Sequence, residues 1–245
     1  MSIALIGYLT FLAACTAVGV RLFAAGIRSG ELPELALGAG FLCSGGIGFL
    51  FMLMPALLPG MDERALFMAG VTGQVVSNLG FIGLYLFNTV VFAGGRRSAI
   101  ATSVAGCAIL AVAVVGGASA GVDSFLRVDS PWYWCNFVGR SGSFLWSAWA
   151  GLHYHGLHRK RIALGIGDPV VANRFLLWGL FGVFAVGLSI LGALGATLGD
   201  PGNPPLPIAL AVSALGVACA GSMWLAFFPP AAYLRRVSDR AATPA

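Results

Sequence analysis

Arg140 lies in the middle of an apolar and aromatic run, WYWCNFVGRSGSFLWSAW, which covers residues 132–149. A guanidinium is permanently charged and binds carboxylates and phosphates through two parallel hydrogen bonds. At the centre of a membrane-spanning helix an arginine costs roughly 2.5–3.5 kcal/mol on translocon scales, so it needs partners inside the protein. No Asp or Glu lies deep in any apolar stretch of the sequence. Neutral acceptors, water or a bound anion must therefore satisfy this charge.

Two sets of polar side chains are spaced to surround Arg140. Residues at positions i, i+4, i+7 and i+11 share one face of a helix. The set with this spacing around the arginine consists of Asn136, Arg140, Ser143 and Ser147. A second set, at a similar depth in an earlier apolar stretch, consists of Gln74, Ser77 and Asn78. We expect the two polar faces to meet.

Two interpretations of this contact between the polar faces remain open. In the structural one, the side-chain carbonyls of Gln74 and Asn78 accept the hydrogen bonds of Arg140 and hold two helices together. In the functional one, Arg140 binds the carboxylate or phosphate of a small anionic amphipathic ligand, with Trp146 and Trp149 as walls of the pocket. The absence of an acidic partner favours the ligand.

Other chemistry has weaker support in the sequence. His153, His155 and His158 crowd one end of a segment beside a basic run, without an acid or a cysteine nearby, so we expect no metal site. The five cysteines lie inside apolar segments without CxxC spacing, which is typical of small core residues. Because no nucleophile–base pair is visible, we do not expect an enzyme.

Composition identifies the elements that must position these side chains. Hydrophobic residues make up 58% of the 245-residue chain and charged residues only 9%, which is too little polar surface for a soluble domain. The apolar stretches reach the roughly 20 residues that a helix needs to cross a bilayer. None alternates as a membrane barrel strand does. We therefore expect an all-α, polytopic membrane protein in which residues 1–245 form a single transmembrane domain.

Windows along the chain predict seven transmembrane helices. They cover residues 3–25, 35–58, 65–93, 99–120, 131–157, 170–198 and 207–233. Arg140 lies on the fifth segment, nine residues or roughly 13 Å from its start, which is close to the midplane. The set around Asn78 lies on the third segment.

Basic residues predict the orientation, because Lys and Arg of short loops are retained in the cytoplasm. Only Arg64 and Arg127 lie on one side of the predicted bundle. The other side carries eleven basic residues: Arg21, Arg28, Arg96, Arg97, Arg159, Lys160, Arg161, Arg174, Arg235, Arg236 and Arg240. We expect the N-terminus outside and the C-terminus in the cytoplasm. The net charge of +5 then reflects topology, and no nucleic-acid partner is expected.

The ends of the third and seventh segments are similar. They read LYLFNTVVFAGGRR and LAFFPPAAYLRR, each with an aromatic residue, four further residues, a second aromatic residue and then twin arginines. Segments one to three would then repeat as segments five to seven, with the fourth as linker. This arrangement resembles the three-plus-one-plus-three plan of the sugar transporter (SWEET), lysosomal PQ-loop and microbial rhodopsin group. The resemblance implies a parallel repeat with a ligand site near the midplane.

Residues that members of this group require are missing. A rhodopsin holds retinal on a lysine of its last helix, and the only lysine here, Lys160, lies outside the predicted spans. Covalent retinal is thereby excluded, and we expect no cofactor. The Pro-Gln pair of PQ-loop proteins is also absent. No functional residue is carried over from the group.

These observations predict a seven-transmembrane, receptor-like protein of the plasma (inner) membrane. Its partners would be the lipid bilayer, the anionic ligand at Arg140 and a cytoplasmic protein at the basic inner loops. A small-molecule transporter is the alternative function, and an intramembrane enzyme is the third. The lack of a deep Asp, Glu or His to couple protons favours the receptor over the driven transporter.

Overall fold

The computed structural model describes residues 3–58, 60–125, 127–199 and 205–242, and within them the chain is helical, with no β-strand. The first four α-helices are α1 (Ile3–Ser29), α2 (Leu32–Phe41), α3 (Phe49–Leu57) and α4 (Glu63–Ala93). The others are α5 (Arg97–Ala120), α6 (Pro131–Ala163), α7 (Pro169–Leu198), α8 (Leu206–Phe227) and α9 (Ala231–Ala242). A π-helical segment, Leu42–Gly48, joins α2 to α3 without a break, and a 3-10 turn, Val122–Phe125, follows α5.

Six stretches of helix are long and apolar enough to cross a membrane, which supports a membrane protein. They are Leu9–Ser29, Leu32–Met54, Glu63–Ala93, Arg97–Ala120, Pro169–Leu198 and Leu206–Phe227. Helix α6, with 33 residues, is longer than any of these, but it is not one of the six. It is less apolar because its second half carries three histidines and a basic cluster.

The ends of the fifth and seventh predicted segments each differ by six residues from the ends of the helices. The fifth was expected to end at residue 157, but α6 continues to Ala163, so Lys160 lies in its last turns. The seventh was expected to reach residue 233, but α8 ends at Phe227. Pro229 and Pro230 follow and cannot continue the hydrogen-bond ladder, so the chain resumes as the separate helix α9.

Side-chain caps fix where α4, α6 and α7 begin. Asp62 accepts a hydrogen bond from the backbone N–H of Ala65 at 2.7 Å, and Asp168 accepts one from that of Val170 at 2.7 Å. Ser130 accepts from the backbone N–H of Trp132 at 3.3 Å, and proline occupies the next position of α6. Each oxygen satisfies one of the unpaired N–H groups at a helix start. The caps of α4 and α6 thereby help to set the register of the two polar faces.

The helices form a closed ring in which consecutive spans pack side by side and α8 packs against α1. Helix α4 also contacts α6, across α5. We call the end where α1, α4, α6 and α8 begin the N-terminal end. The opposite end, where these four helices finish, is called the basic end because arginines such as Arg28 and Arg159 lie there, exposed.

Glycine lets neighbouring helices of the bundle approach closely. A Cβ atom added at Gly48, in the π-helical segment, would lie 2.6 Å from the backbone nitrogen of Ser77 on α4. One added at Gly182, on α7, would lie 2.8 Å from the Cα atom of Ala148 on α6. Both distances are too short for a real Cβ atom. The abundant glycines therefore serve packing inside the bundle at these positions.

Aromatic rings fill the middle of the ring of helices. Phe41, Trp178 and Phe181 form a group that we call the aromatic plug, with ring centroids 5.2 Å apart for Trp178 and Phe181 and 5.6 Å apart for Phe41 and Phe181. Phe144 extends it toward Arg140, with its ring centroid 5.8 Å from that of Phe181. The plug separates the space near Arg140 from the basic end.

Candidate functional site

Arg140 is held between α6 and α4 by two amide side chains of α4. Its Nε donates to Asn78 Oδ1 at 2.9 Å, and its Nη2 donates to the same oxygen at 2.7 Å and to Gln74 Oε1. The guanidinium carbon lies 5.4 Å from the centroid of the Phe81 ring, a cation–π distance. Within the described residues, the remaining terminal nitrogen, Nη1, makes no hydrogen bond to the protein.

Asn78 connects Arg140 to a second amide on α6. Its Nδ2 donates to Asn136 Oδ1 at 2.9 Å and to the backbone carbonyl of Leu110, on α5, at 3.3 Å. Asn78 is only 3% exposed, so all four of its bonds are shielded from solvent. Asn136 Nδ2 is buried and has no hydrogen-bond partner among the described residues. Asn78 is therefore the side chain on which the polar contact between α4, α5 and α6 depends.

The contact continues along the two helices toward the basic end. Tyr85 donates its hydroxyl hydrogen to the backbone carbonyl of Gly139 at 2.8 Å. Asn88 Nδ2 donates to Ser147 Oγ at 2.9 Å. We call the whole set the polar seam: Gln74, Asn78, Tyr85 and Asn88 on α4, with Asn136, Arg140, Ser143 and Ser147 on α6. It joins two helices that are not neighbours in sequence.

Tyr85 and Asn88 were not among the predicted site residues. Both continue the spacing of Gln74 and Asn78, since positions 74, 78, 85 and 88 fall on one face of α4. Asn88 is fully buried, and its partners on α6 lie on the same face as Arg140. Extending the i+3, i+4 and i+7 intervals beyond residue 78 would have found both.

Over the residues that the structure describes, no carboxylate forms an ion pair with Arg140. An ion pair in the connection before α6 joins Arg127 Nη2 and Asp129 Oδ2 at 2.6 Å. Its hydrogen bond from Arg127 lowers the pKa of Asp129, so this exposed pair persists at neutral pH and is lost as the pH falls through that lowered value. The charge of Arg140 is therefore met by amide dipoles and one aromatic ring.

Arg140 also lies on the wall of a cavity of about 220 Å³, which we call the Arg140 cavity. Its lining comes from α1, the π-helical segment, α3, α4, α6, α7 and α8. The polar residues of the lining, besides Arg140, are Ser44, Ser77 and Ser189, and the rest are glycine or apolar residues such as Phe81 and Phe144. No acidic residue lines it. The cavity is thus an apolar chamber with one cation on its wall.

The structure brings most of the predicted site residues together, but in two layers. Ser77 lines the Arg140 cavity beside Arg140. Gln74, Asn78 and Asn136 lie behind the guanidinium in the polar seam. Ser143 is fully buried there too, and its hydroxyl donates to the backbone carbonyl of Arg140 at 2.7 Å.

The two tryptophans that we expected as pocket walls lie elsewhere. Trp149 is 63% exposed on the outer surface of α6, where it stacks on His153. Trp146 packs against Tyr85 with ring centroids 6.3 Å apart, away from the cavity lining. The aromatic walls are instead phenylalanines from several helices, including Phe11 and Phe144.

The histidines of α6 each have a separate contact. His155 Nδ1 lies 2.8 Å from the backbone carbonyl oxygen of Ala172, and His158 packs on the ring of Phe175 with centroids 5.0 Å apart. Over the ranges that the structure describes, no group of three or more His, Cys, Asp or Glu residues is placed to hold a metal ion. The histidines thus act as packing and hydrogen-bonding groups at the basic end.

The chain matches no model of a known protein family. No curated protein and no solved structure matches it either.

Proposed function

We propose that this chain is a seven-transmembrane, receptor-like protein that binds a small organic anion in the Arg140 cavity. Helix α6 would be the seventh span, because it is long enough and packs between α5 and α7 in the ring. The basic end would face the cytoplasm of a plasma (inner) membrane, in accord with the retention of Lys and Arg on that side. The N-terminus would then be outside.

One observation carries this proposal: among the described residues, Arg140 has a donor nitrogen without a protein acceptor and lies on the wall of an apolar cavity with no carboxylate in its lining. A carboxylate at Nη1 would neutralise a charge that the amides of Gln74 and Asn78 only solvate. In so apolar a setting the Coulomb attraction between the two charges is stronger than in an exposed ion pair, and this attraction offsets the cost of removing the carboxylate from water. The amides would at the same time hold the guanidinium in one orientation.

The lining and the volume of the cavity indicate the part of the ligand that lies beyond its carboxylate. Apart from the serines, its walls are apolar, so the body of the ligand should be apolar as well. A volume of about 220 Å³ is below the roughly 300–1,000 Å³ of pockets for drug-sized molecules. A short organic acid with an alkyl or aryl body, such as octanoate, therefore suits it.

A pair of probes that differ in charge tests the proposal. In nanodiscs of neutral lipid, octanoate should bind saturably. Octan-1-ol has the same chain and no charge, and it should bind at least about tenfold more weakly. The reason is that a hydrogen bond to a charged group contributes about 1.5–3 kcal/mol. Isothermal titration calorimetry gives both dissociation constants. Equal affinities for octanoate and octan-1-ol would mean that the Arg140 cavity selects only for apolar ligands, which would contradict a role for Arg140.

A receptor also needs a surface on which binding is read out. The basic end provides exposed arginines, and α9 packs there against α7, with Asn173 Nδ2 donating to the hydroxyl oxygen of Tyr233 at 2.8 Å. A cytoplasmic protein with an acidic face is the partner that such a surface would attract.

A carrier is the second candidate, and a line of cavities favours it. A second cavity of about 470 Å³ opens at the basic end, and a void of about 10 Å³ lies between the two. Phe11, Ser44 and Phe144 line both the void and the Arg140 cavity, whereas Leu37 lines both the void and the second cavity. The aromatic plug closes the path in between.

The π-helical segment suits movement in such a carrier. Gly45, within that segment, lines the Arg140 cavity, and mid-helix irregularities of this kind often mark functional sites. The expected parallel repeat would pair α1, the α2–α3 span and α4 with α6, α7 and α8, so that the cavity lies between the two halves.

Uptake into vesicles separates the two candidates. A carrier should move radiolabelled octanoate into proteoliposomes above the leak of protein-free liposomes, and the Arg140→Gln variant should abolish that excess. A receptor should give no excess uptake while still binding octanoate. Because octanoic acid crosses lipid by itself, the assay belongs at a pH well above its pKa.

A further inference from the structure

A cavity at the basic end, beside the aromatic plug, has its own charged and polar groups. It has a volume of about 470 Å³ and is lined by residues of α1, α2, α4, α7 and α8. Its volume falls within the roughly 300–1,000 Å³ range of drug-sized pockets. We call it the basic-end cavity. Its lining does not include Arg140 or any member of the polar seam.

Two arginines give this cavity a positive charge. Arg21 of α1 and Arg174 of α7 both line it, together with one acid, Glu34. Neither arginine is in an ion pair within the residues that the structure describes. Glu34 Oε2 accepts a hydrogen bond from Ser29 Oγ at 2.9 Å. The lining therefore has one net positive charge and two guanidiniums without a carboxylate partner.

Arg21 is held in place by an aromatic ring. Its guanidinium carbon lies 4.4 Å from the centroid of the Phe228 ring, which stacks on Trp224 with centroids 4.5 Å apart. A cation over a ring face is held through its charge and not through its hydrogen-bond donors. The arginine is thereby ordered without using the donors that an anion would need.

A buried donor without a partner lies deeper in the same lining. Trp178 is only 5% exposed, and its indole Nε1 makes no hydrogen bond to any residue that the structure describes. A buried N–H group without an acceptor is unfavourable, so an acceptor from a ligand would relieve it. The rings of Phe87 and Phe227 lie beside Trp178, with centroids 5.2 Å and 6.2 Å from it, and also line the cavity.

We propose that the basic-end cavity is a second binding site, for an acyl-ester phosphate amphiphile. The phosphate binds between Arg21 and Arg174, the ester carbonyl accepts the hydrogen bond of Trp178, and the acyl chain packs against the phenylalanines. A simple fatty acid has an anionic head group and an acyl chain, but it has no second hydrogen-bond acceptor at the depth of the Trp178 indole. The ligand chemistry is thus that of an anionic glycerophospholipid, and the site is independent of the ligand proposed for Arg140.

The phosphate amphiphile has two sources, the surrounding bilayer and the aqueous phase, and two titrations distinguish them. In one, soluble dihexanoyl phosphatidic acid is added to the protein in phosphatidylcholine nanodiscs. In the other, nanodiscs are prepared with increasing fractions of dioleoyl phosphatidic acid. Tryptophan fluorescence, referenced to the Trp178→Phe variant, and native mass spectrometry report occupancy.

We expect saturable binding in at least one titration, and the arm that shows it identifies the source. The double variant with Arg21→Gln and Arg174→Gln should raise the dissociation constant at least thirtyfold. Trp178→Phe keeps the ring but removes the N–H group, and should raise it about three- to tenfold, as the loss of one neutral hydrogen bond predicts.

Two control variants make the result specific. A double variant with Arg28→Gln and Arg235→Gln removes the same charge from the basic end, but neither residue lines the cavity, so affinity should change less than threefold. Arg140→Gln should leave it unchanged. Equal losses of affinity in both double variants, or no saturable binding in either titration, would overturn the second site. A loss of affinity in Arg140→Gln alone would assign the phosphate amphiphile to the Arg140 cavity instead.

Discussion

The Arg140→Gln variant is expected to bind octanoate roughly 30- to 100-fold more weakly than the wild type, a loss of about 2–3 kcal/mol. Glutamine removes the charge and the free donor that we assign to the carboxylate. It retains an amide that can still donate to Asn78 Oδ1, so the contact between α4 and α6 should survive. Calorimetric titration in neutral nanodiscs measures the change.

Arg140→Lys is the matched control for charge. Lysine keeps the cation but lacks the planar fork that bridges Gln74, Asn78 and a ligand at once. We expect an affinity between those of the wild type and the glutamine variant. If Arg140→Gln binds octanoate as tightly as the wild type, the arginine is only a structural element of the polar seam, and the proposed ligand site is wrong.

Asn78→Leu is expected to destabilise the folded bundle by about 3 kcal/mol or more. The substitution nearly conserves volume but removes the oxygen that accepts two hydrogen bonds from Arg140 and the amide that bonds Asn136 and Leu110. A buried charge that loses its partner typically costs about 3–5 kcal/mol. Unfolding in mixed micelles with increasing SDS measures the free energy.

Two further variants show whether the charge causes this effect. Adding Arg140→Met to Asn78→Leu removes the unpaired cation, so the double variant should be more stable than Asn78→Leu alone. Asn88→Leu is the neutral control on the same face of α4, because Asn88 bonds only serine groups of α6, and we expect a loss of about 1 kcal/mol. Equal losses of stability for the two asparagine variants would show that the charge of Arg140 does not contribute to the stability of the polar seam.

Helix periodicity explains which parts of the site the sequence could predict. Asn78, Arg140 and their neighbours were found because polar residues at i+4 and i+7 intervals stand out in apolar segments. The same rule argues against Trp149, since nine residues from Arg140 make 2.5 turns and place it on the opposite face of α6. Phe144, at i+4 from Arg140, is the aromatic residue that the rule favours, and it lines the cavity.

The cavities could not be read from the sequence because they depend on packing between distant segments. The Arg140 cavity takes its lining from Gly7 on α1 as well as Gly216 on α8, and no local pattern connects these residues. The unpartnered indole of Trp178 is likewise a result of packing. Helix positions were predictable because length and hydropathy decide them, and the error at the end of α8 arose where a proline pair interrupts an apolar stretch.

The position of a bound anion relative to Arg140 is the most direct test of the proposed site. Crystals grown with 8-bromooctanoate would give anomalous difference density for the bromine. We expect one peak inside the Arg140 cavity, with the carboxylate within hydrogen-bond distance of Arg140 Nη1, and no such peak in crystals of Arg140→Gln. A cavity without bromine in the wild type, or a peak of equal height in both proteins, would contradict anion binding by Arg140.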